Sequence, residues 1–147
     1  MRKLIIPIVL CIFSVTGAAQ VQWNDMPLSP GTFSDASTPY KQSDYEILVP
    51  TGVGLEFKLS MKAGDFMVYS WTSDVTDPAL MDVEFHGHTE PVDDEGDLMF
   101  YKVHNEGRES GTMKAPFDGI HGWYLNNRSD RDVVVKLTAS GFFEDVE

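Results

Sequence analysis

From Tyr45 onward, apolar and polar residues alternate in short blocks. Leu55, Phe57, Leu59 and Met61 interleave with Glu56, Lys58, Ser60 and Lys62. A period of two buries one face of an extended strand and wets the other. Gly64 supplies a turn within 62–65, and residues 66–72 are apolar or aromatic on both faces, which predicts a strand in a central position. After a loop over 74–78, Met81, Val83 and Phe85 alternate with Asp82, Glu84 and His86 on a third strand. The acidic loop Asp93-Asp94-Glu95-Gly96-Asp97 precedes a strand over 98–104. A turn region over 106–111 leads to a short extended piece at 112–117, then to an aromatic-rich strand at 120–126. A polar turn at 127–132 precedes a last strand over 133–139, with Val133, Val135 and Leu137 on one face.

No stretch after residue 45 keeps helical spacing over three turns. With 45–50 included, about eight short strands are predicted, the spacing of a single antiparallel β-sandwich or jelly roll over 45–147. Phe57, Leu59, Val83, Phe85 and Val135 are the expected core.

The N-terminal part reads differently. Arg2 and Lys3, an apolar run over 4–15 and the small residues Gly17-Ala18-Ala19 follow the layout of a signal peptide, with cleavage after Ala19. That run is shorter than the roughly 20 residues of a permanent span. The expected location is periplasmic or secreted. An uncleaved leader would instead tether the chain to the inner membrane, facing the periplasm. Cys11 follows Leu10, not the small residue that lipoprotein acylation needs. Residues 20–44 contain Pro27, Pro30, Gly31 and Pro39 and keep no period, so they are predicted as a flexible lead, with Trp23 free to dock on the body.

Charge narrows the partners. The chain has 23 acidic and 11 basic residues, a formal net charge of −12, and loss of Arg2 and Lys3 with the leader makes it −14. Nucleic acid and anionic membrane surfaces are repelled; cations, or a protein partner with a basic patch, are attracted. Cys11 is the single cysteine, so a cleaved chain forms no disulfide and stands on its core, a metal or an anchor.

Two stretches, Gly54–Trp71 and Phe117–Arg128, resemble a family of small bacterial proteins labelled "transmembrane anchor protein", in which an apolar N-terminal segment precedes a β domain. A His-Gly pair ends one strand, as His86-Gly87 does here, and a second is followed by aromatics and Asn-Arg, as in His121-Gly122-Trp123-Tyr124. The resemblance covers roughly residues 45–143 and implies a membrane tether. More distantly, a Gly-aromatic-aromatic-Leu-x-Asn strand followed by a Val-rich strand is similar to the GOLD domain, which implies a binding or adaptor module and not an enzyme.

The candidate chemistry lies in the histidines. His86 and His88 are two apart and share a strand side with Glu84 and Asp82. Imidazoles with carboxylates suit zinc, nickel or copper(II), and His104 and His121 would complete the shell from neighbouring strands. Against this, polar residues opposite Val83 and Phe85 are what any half-exposed strand shows, and His121 shares a face with Trp123 and Leu125, as a structural histidine would. The acidic loop lacks EF-hand spacing and reads as solvated. Trp71, Trp123, Tyr69, Tyr101 and Tyr124 suit a core, or a carbohydrate or lipid site. Catalysis has little support: no Gly-x-Ser-x-Gly elbow is present, and no cysteine follows the leader. Asn127-Arg128-Ser129 matches a glycosylation sequon.

Three functions remain open. The first is an exported binding or accessory module holding a divalent transition metal through His86, His88, His121, Glu84 and His104. The second is a structural or protein-interaction sandwich without a small ligand. The third is a cupin-like metalloenzyme, suggested by the His-x-His motif.

Overall fold

The computed structural model of the protein describes Gln22 and residues 24–146. The expected leader, Cys11 and Trp23 therefore lie outside the described residues. The chain divides into two compact units, up to Ser34 and from Asp35 on. In the first, the described residues form a turn in which the Thr32 amide donates to the Ser29 carbonyl at 3.2 Å, with Gly31 at φ +77°.

The second unit is a β-sandwich of two antiparallel sheets. One sheet runs in the order β1 (Tyr40–Val49), β8 (Val133–Phe142), β3 (Phe66–Ser73), β6 (Arg108–Lys114). The other runs β5 (Leu98–Asn105), β4 (Met81–His88), β7 (Gly119–Asn127), β2 (Gly54–Met61), β9 (Glu144–Asp145). Side chains of period two from both inner faces meet between them. Leu59, Val83, Phe85 and Val135 are buried there, as their alternation predicts, while Phe57 is half-buried at the margin. Phe85 stacks on Trp123 with centroids 4.7 Å apart, and Tyr69 meets both rings edge-on at 5.3 and 5.0 Å. Such geometry is favoured by the ring quadrupoles.

The strand boundaries depart from expectation in three places. β1 begins at Tyr40, inside the span read as a flexible lead. The stretch Lys41-Gln42-Ser43-Asp44 has no apolar alternation to signal a strand. It is ordered by pairing along its whole length with β8, and by Lys41 and Tyr45, which both donate to the Asp145 carboxylate. β6 occupies 108–114 instead of 112–117, because its segment contains one buried apolar side chain, Met113, and gives almost no pattern. β9 is only two residues long and pairs with Leu59 and Ser60.

The β4–β5 pair is irregular. Its register shifts between Phe85 and His86, so that Phe85 faces Lys102 but His86 faces Phe100. Tyr101 is the extra residue of this β-bulge and packs against the core.

Candidate functional site

The outer face of the five-stranded sheet carries the polar stripe of β4. Asp82, Glu84, His86 and His88 alternate with Val83, Phe85 and Gly87, which point inward. Asp82 is fully engaged: it accepts from Arg128 Nε at 2.8 Å, Asn126 Nδ2 at 2.9 Å and Asn105 Nδ2. Burial opposes its charge, but these donors outweigh that and hold its carboxyl below the usual range.

Further along the stripe, Glu56, Lys58, Glu84, His86, His88, Leu98, Phe100 and Tyr124 line a shallow open groove. Its floor has a gap at Gly122, which stands opposite both Lys58 and His86. With no side chain there, the Lys58 ammonium reaches His86 Nε2 at 3.0 Å and Glu56 Oε1 at 3.2 Å. His86 Nδ1 lies 3.2 Å from the Glu84 carbonyl and His88 Nδ1 lies 2.9 Å from the Thr89 carbonyl. A carbonyl only accepts, so both rings donate from Nδ1. His86 Nε2 lies between the Lys58 ammonium at 3.0 Å and the Glu56 carboxylate at 3.3 Å.

His121 and His104 lie on the other face. His121 pairs in register with Gly87, between His86 and His88, and is fully buried. Its Nε2 donates to the Phe117 carbonyl at 3.2 Å, and its Nδ1 accepts from the Tyr101 hydroxyl at 2.7 Å. Burial pushes its pKa down and raises that of Tyr101 to about 12. His121 is thus a neutral ring with both nitrogens used. His104 faces Val83 and sits 3.0 Å from Glu109 of β6, across the sandwich margin, where Lys102 and Tyr69 also donate to Glu109. Burial lowers the pKa of His104 against the pull of Glu109.

The set His86, His88, Glu84, His121 and His104 is therefore split by the sheet itself. Two rings and one carboxylate face outward, and two rings face inward. Among the described residues, no three histidine or acidic side chains converge as a metal shell would require.

Two other candidates take structural roles. Asn127 of the sequon is fully buried; its Nδ2 donates to the Val49 and Arg131 carbonyls, and its Oδ1 accepts from Ser129. The acidic loop is a tight hairpin. Val92 and Glu95 exchange backbone bonds of 2.8 and 3.0 Å around Asp93 and Asp94, both at positive φ. All five residues of 93–97 are exposed.

The pattern reading missed the outer edge of this sheet. Edge strand β5 exposes Leu98 (56%), Met99 (45%), Phe100 (53%) and Val103 (64%), immediately after the acidic hairpin. The sequence predicts a strand over 98–104 without saying where in a sheet it lies; the strand order makes it an edge.

Fold and surface define an antiparallel β-sandwich with a mixed apolar and acidic edge. No known protein family matches the chain, nor does any curated protein. Among solved structures it is similar to Aeromonas hydrophila PliG, a periplasmic lysozyme inhibitor of g-type lysozyme. The two share 14% identity over 74% of this chain and 92% of that one, with a TM-score of 0.39.

Proposed function

We propose that this chain is an exported β-sandwich that works by binding a protein partner, without a small ligand. One observation carries the reading: the exposed apolar row of β5, joined to the acidic hairpin at 93–97. Exposed large apolar residues clustered beside charge mark interaction surfaces more often than isolated ones do. The leader-like residues 1–19 support export, and the net charge supports a partner with a basic patch.

The reading is tested by placing a photo-crosslinking amino acid at Phe100 or Val103, and at Thr138 on the opposite sheet, in the native host. Discrete conjugates from the β5 positions alone are expected. Conjugates from neither site, or equally from both, would refute the assignment.

A divalent-metal reading has narrower support, from the outward-facing rings of His86 and His88, which line the same groove. It needs the metal to displace the Lys58 ammonium from His86. Lys58→Met should then tighten zinc binding measured by calorimetry, and unchanged binding would end that reading.

A further inference from the structure

We infer that the partner docks as an extended, basic segment that adds a strand to the free edge of β5; this rests on the protein-partner reading above.

A strand at a sheet edge exposes unpaired backbone donors and acceptors, and natural proteins guard such edges with charge, brevity, proline or bulges. The sheet edges of this sandwich are β1, β6, β5, and β9 together with the part of β2 that β9 leaves uncovered, which carries Glu56 and Lys58. β1 exposes Tyr40 and Leu48 near its ends but carries Lys41, Asp44 and Glu46 between them. β6 carries Arg108, Glu109 and Lys114 and exposes no large apolar residue. β9 has two residues, both acidic. β5 is the exception. It is eight residues long, and its one formal charge, Lys102, is held by Glu109. Its bulge at Tyr101 interrupts the middle, which leaves Leu98–Phe100 as the regular, unguarded stretch. Backbone pairing would supply affinity there, and alternate side chains of the incoming strand would lie over Leu98 and Phe100 in the groove shared with His88 and Tyr124.

The chemistry of the incoming strand is set by the residues that flank that stretch. Glu90, Asp93, Asp94, Glu95 and Asp97 precede it with no basic residue among them. Glu56 and Glu84 line the groove beside it. A segment alternating apolar residues with lysine or arginine matches both features. A second copy of this chain does not, because each copy carries the same excess of negative charge.

The probe is a synthetic peptide of alternating valine and lysine, titrated into nitrogen-15-labelled protein at low salt. Amide shifts should concentrate in Leu98–Val103, and exchange of the amides there should slow by about tenfold or more. Added salt should weaken binding. The same peptide methylated on alternate backbone nitrogens should lose binding, as should the protein variants Phe100→Lys and Val103→Lys, whose fold is checked by circular dichroism. Equal binding of the methylated peptide would overturn strand addition while leaving a side-chain interface intact. Equal binding of a valine–glutamate peptide would overturn the basic partner. Absence of binding by the valine–lysine peptide at millimolar concentration would overturn the inference, whereas the crosslinks at Phe100 and Val103 judge the broader reading separately. A dimer protected at β5 without any peptide would replace the foreign segment with a second copy.

Discussion

Gly87 and Gly122 face opposite sides of the five-stranded sheet, and a single methyl group at each meets different obstacles. At Gly122, an added Cβ overlaps the Phe57 carbonyl oxygen and lies 3.0 Å from the Lys58 Cα, both in the backbone of β2. At Gly87 it overlaps the Tyr101 hydroxyl and His121 Nδ1, which are side-chain atoms. Both atoms belong to side chains that can shift, but the 2.7 Å Tyr101–His121 bond is then lost. A buried nitrogen left unpaired costs about 1–3 kcal/mol, and residual crowding costs about 1–3 kcal/mol more. Gly87→Ala should therefore destabilise by about 2–6 kcal/mol. Gly122→Ala should cost more, because the β2–β7 ladder has to part in the middle of the sheet. Without these contacts, Gly to Ala would stabilise by about 0.4–1 kcal/mol through the unfolded chain, so even the sign is informative. Urea unfolding followed by tryptophan fluorescence measures both, since Trp71 and Trp123 are buried in the core. A Gly87→Ala loss below about 0.5 kcal/mol, or a Gly122→Ala variant more stable than Gly87→Ala, would refute the packing argument.

Leu59→Ala, in the sealed core, should cost about 2–5 kcal/mol in the same assay, and Phe57→Ala less than the about 3–5 kcal/mol of a fully buried phenylalanine. Asn127→Ala should cost about 2 kcal/mol or more by stranding the Val49 and Arg131 carbonyls; an occupied glycan at Asn127, read by mass spectrometry, would contradict its burial. Acid should act in two stages. His121 and His104 have folded pKa values below their unfolded values, so the unfolded chain binds more protons there, and stability should fall as pH drops below about 6.5. Asp74, Asp82, Asp118 and Asp145 are shifted down from 3.8, so their contribution is lost only at lower pH, as they protonate. A melting temperature that stays flat from pH 7.5 to pH 5 would sink the first stage, and His121→Asn should blunt it.

How much of the fold was legible in the sequence depends on the range of each signal. Alternation within one strand places each residue on a face, so Leu59, Val83 and Val135 were readable as core, and His121 as a neighbour of Trp123. Alternation does not say which faces of two strands coincide. That parity depends on register, set by long-range pairs such as Gly87 with His121, and it is why four histidines within 36 residues of sequence divide two and two across a sheet. Gly87 shows the difference. In sequence it is the spacer of a His-x-His motif. In the fold it is the one residue small enough to lie beneath the Tyr101–His121 bond, so the motif arises from packing on the face that its histidines do not share.

The same limit explains β5. A run such as Leu98-Met99-Phe100-Tyr101 carries the pattern of a strand covered on both faces, and local sequence offers nothing to contradict it. Strand order alone moves it to the rim, where only Tyr101 turns its ring into the core through the bulge. A conflict between pattern and position is costly to keep: exposed apolar edges invite aggregation, and a chain free to vary would replace them with lysine or glutamate. The other three edges of this sandwich obey that rule with charge or brevity. The edge that breaks it stands next to the densest run of carboxylates in the chain, a charge that disfavours pairing of like copies and, on the proposed function, favours a cationic partner at Leu98 and Phe100. Alternation finds the strand at 98–104 but not its neighbours, and its position at the rim makes β5 the place to test for a partner.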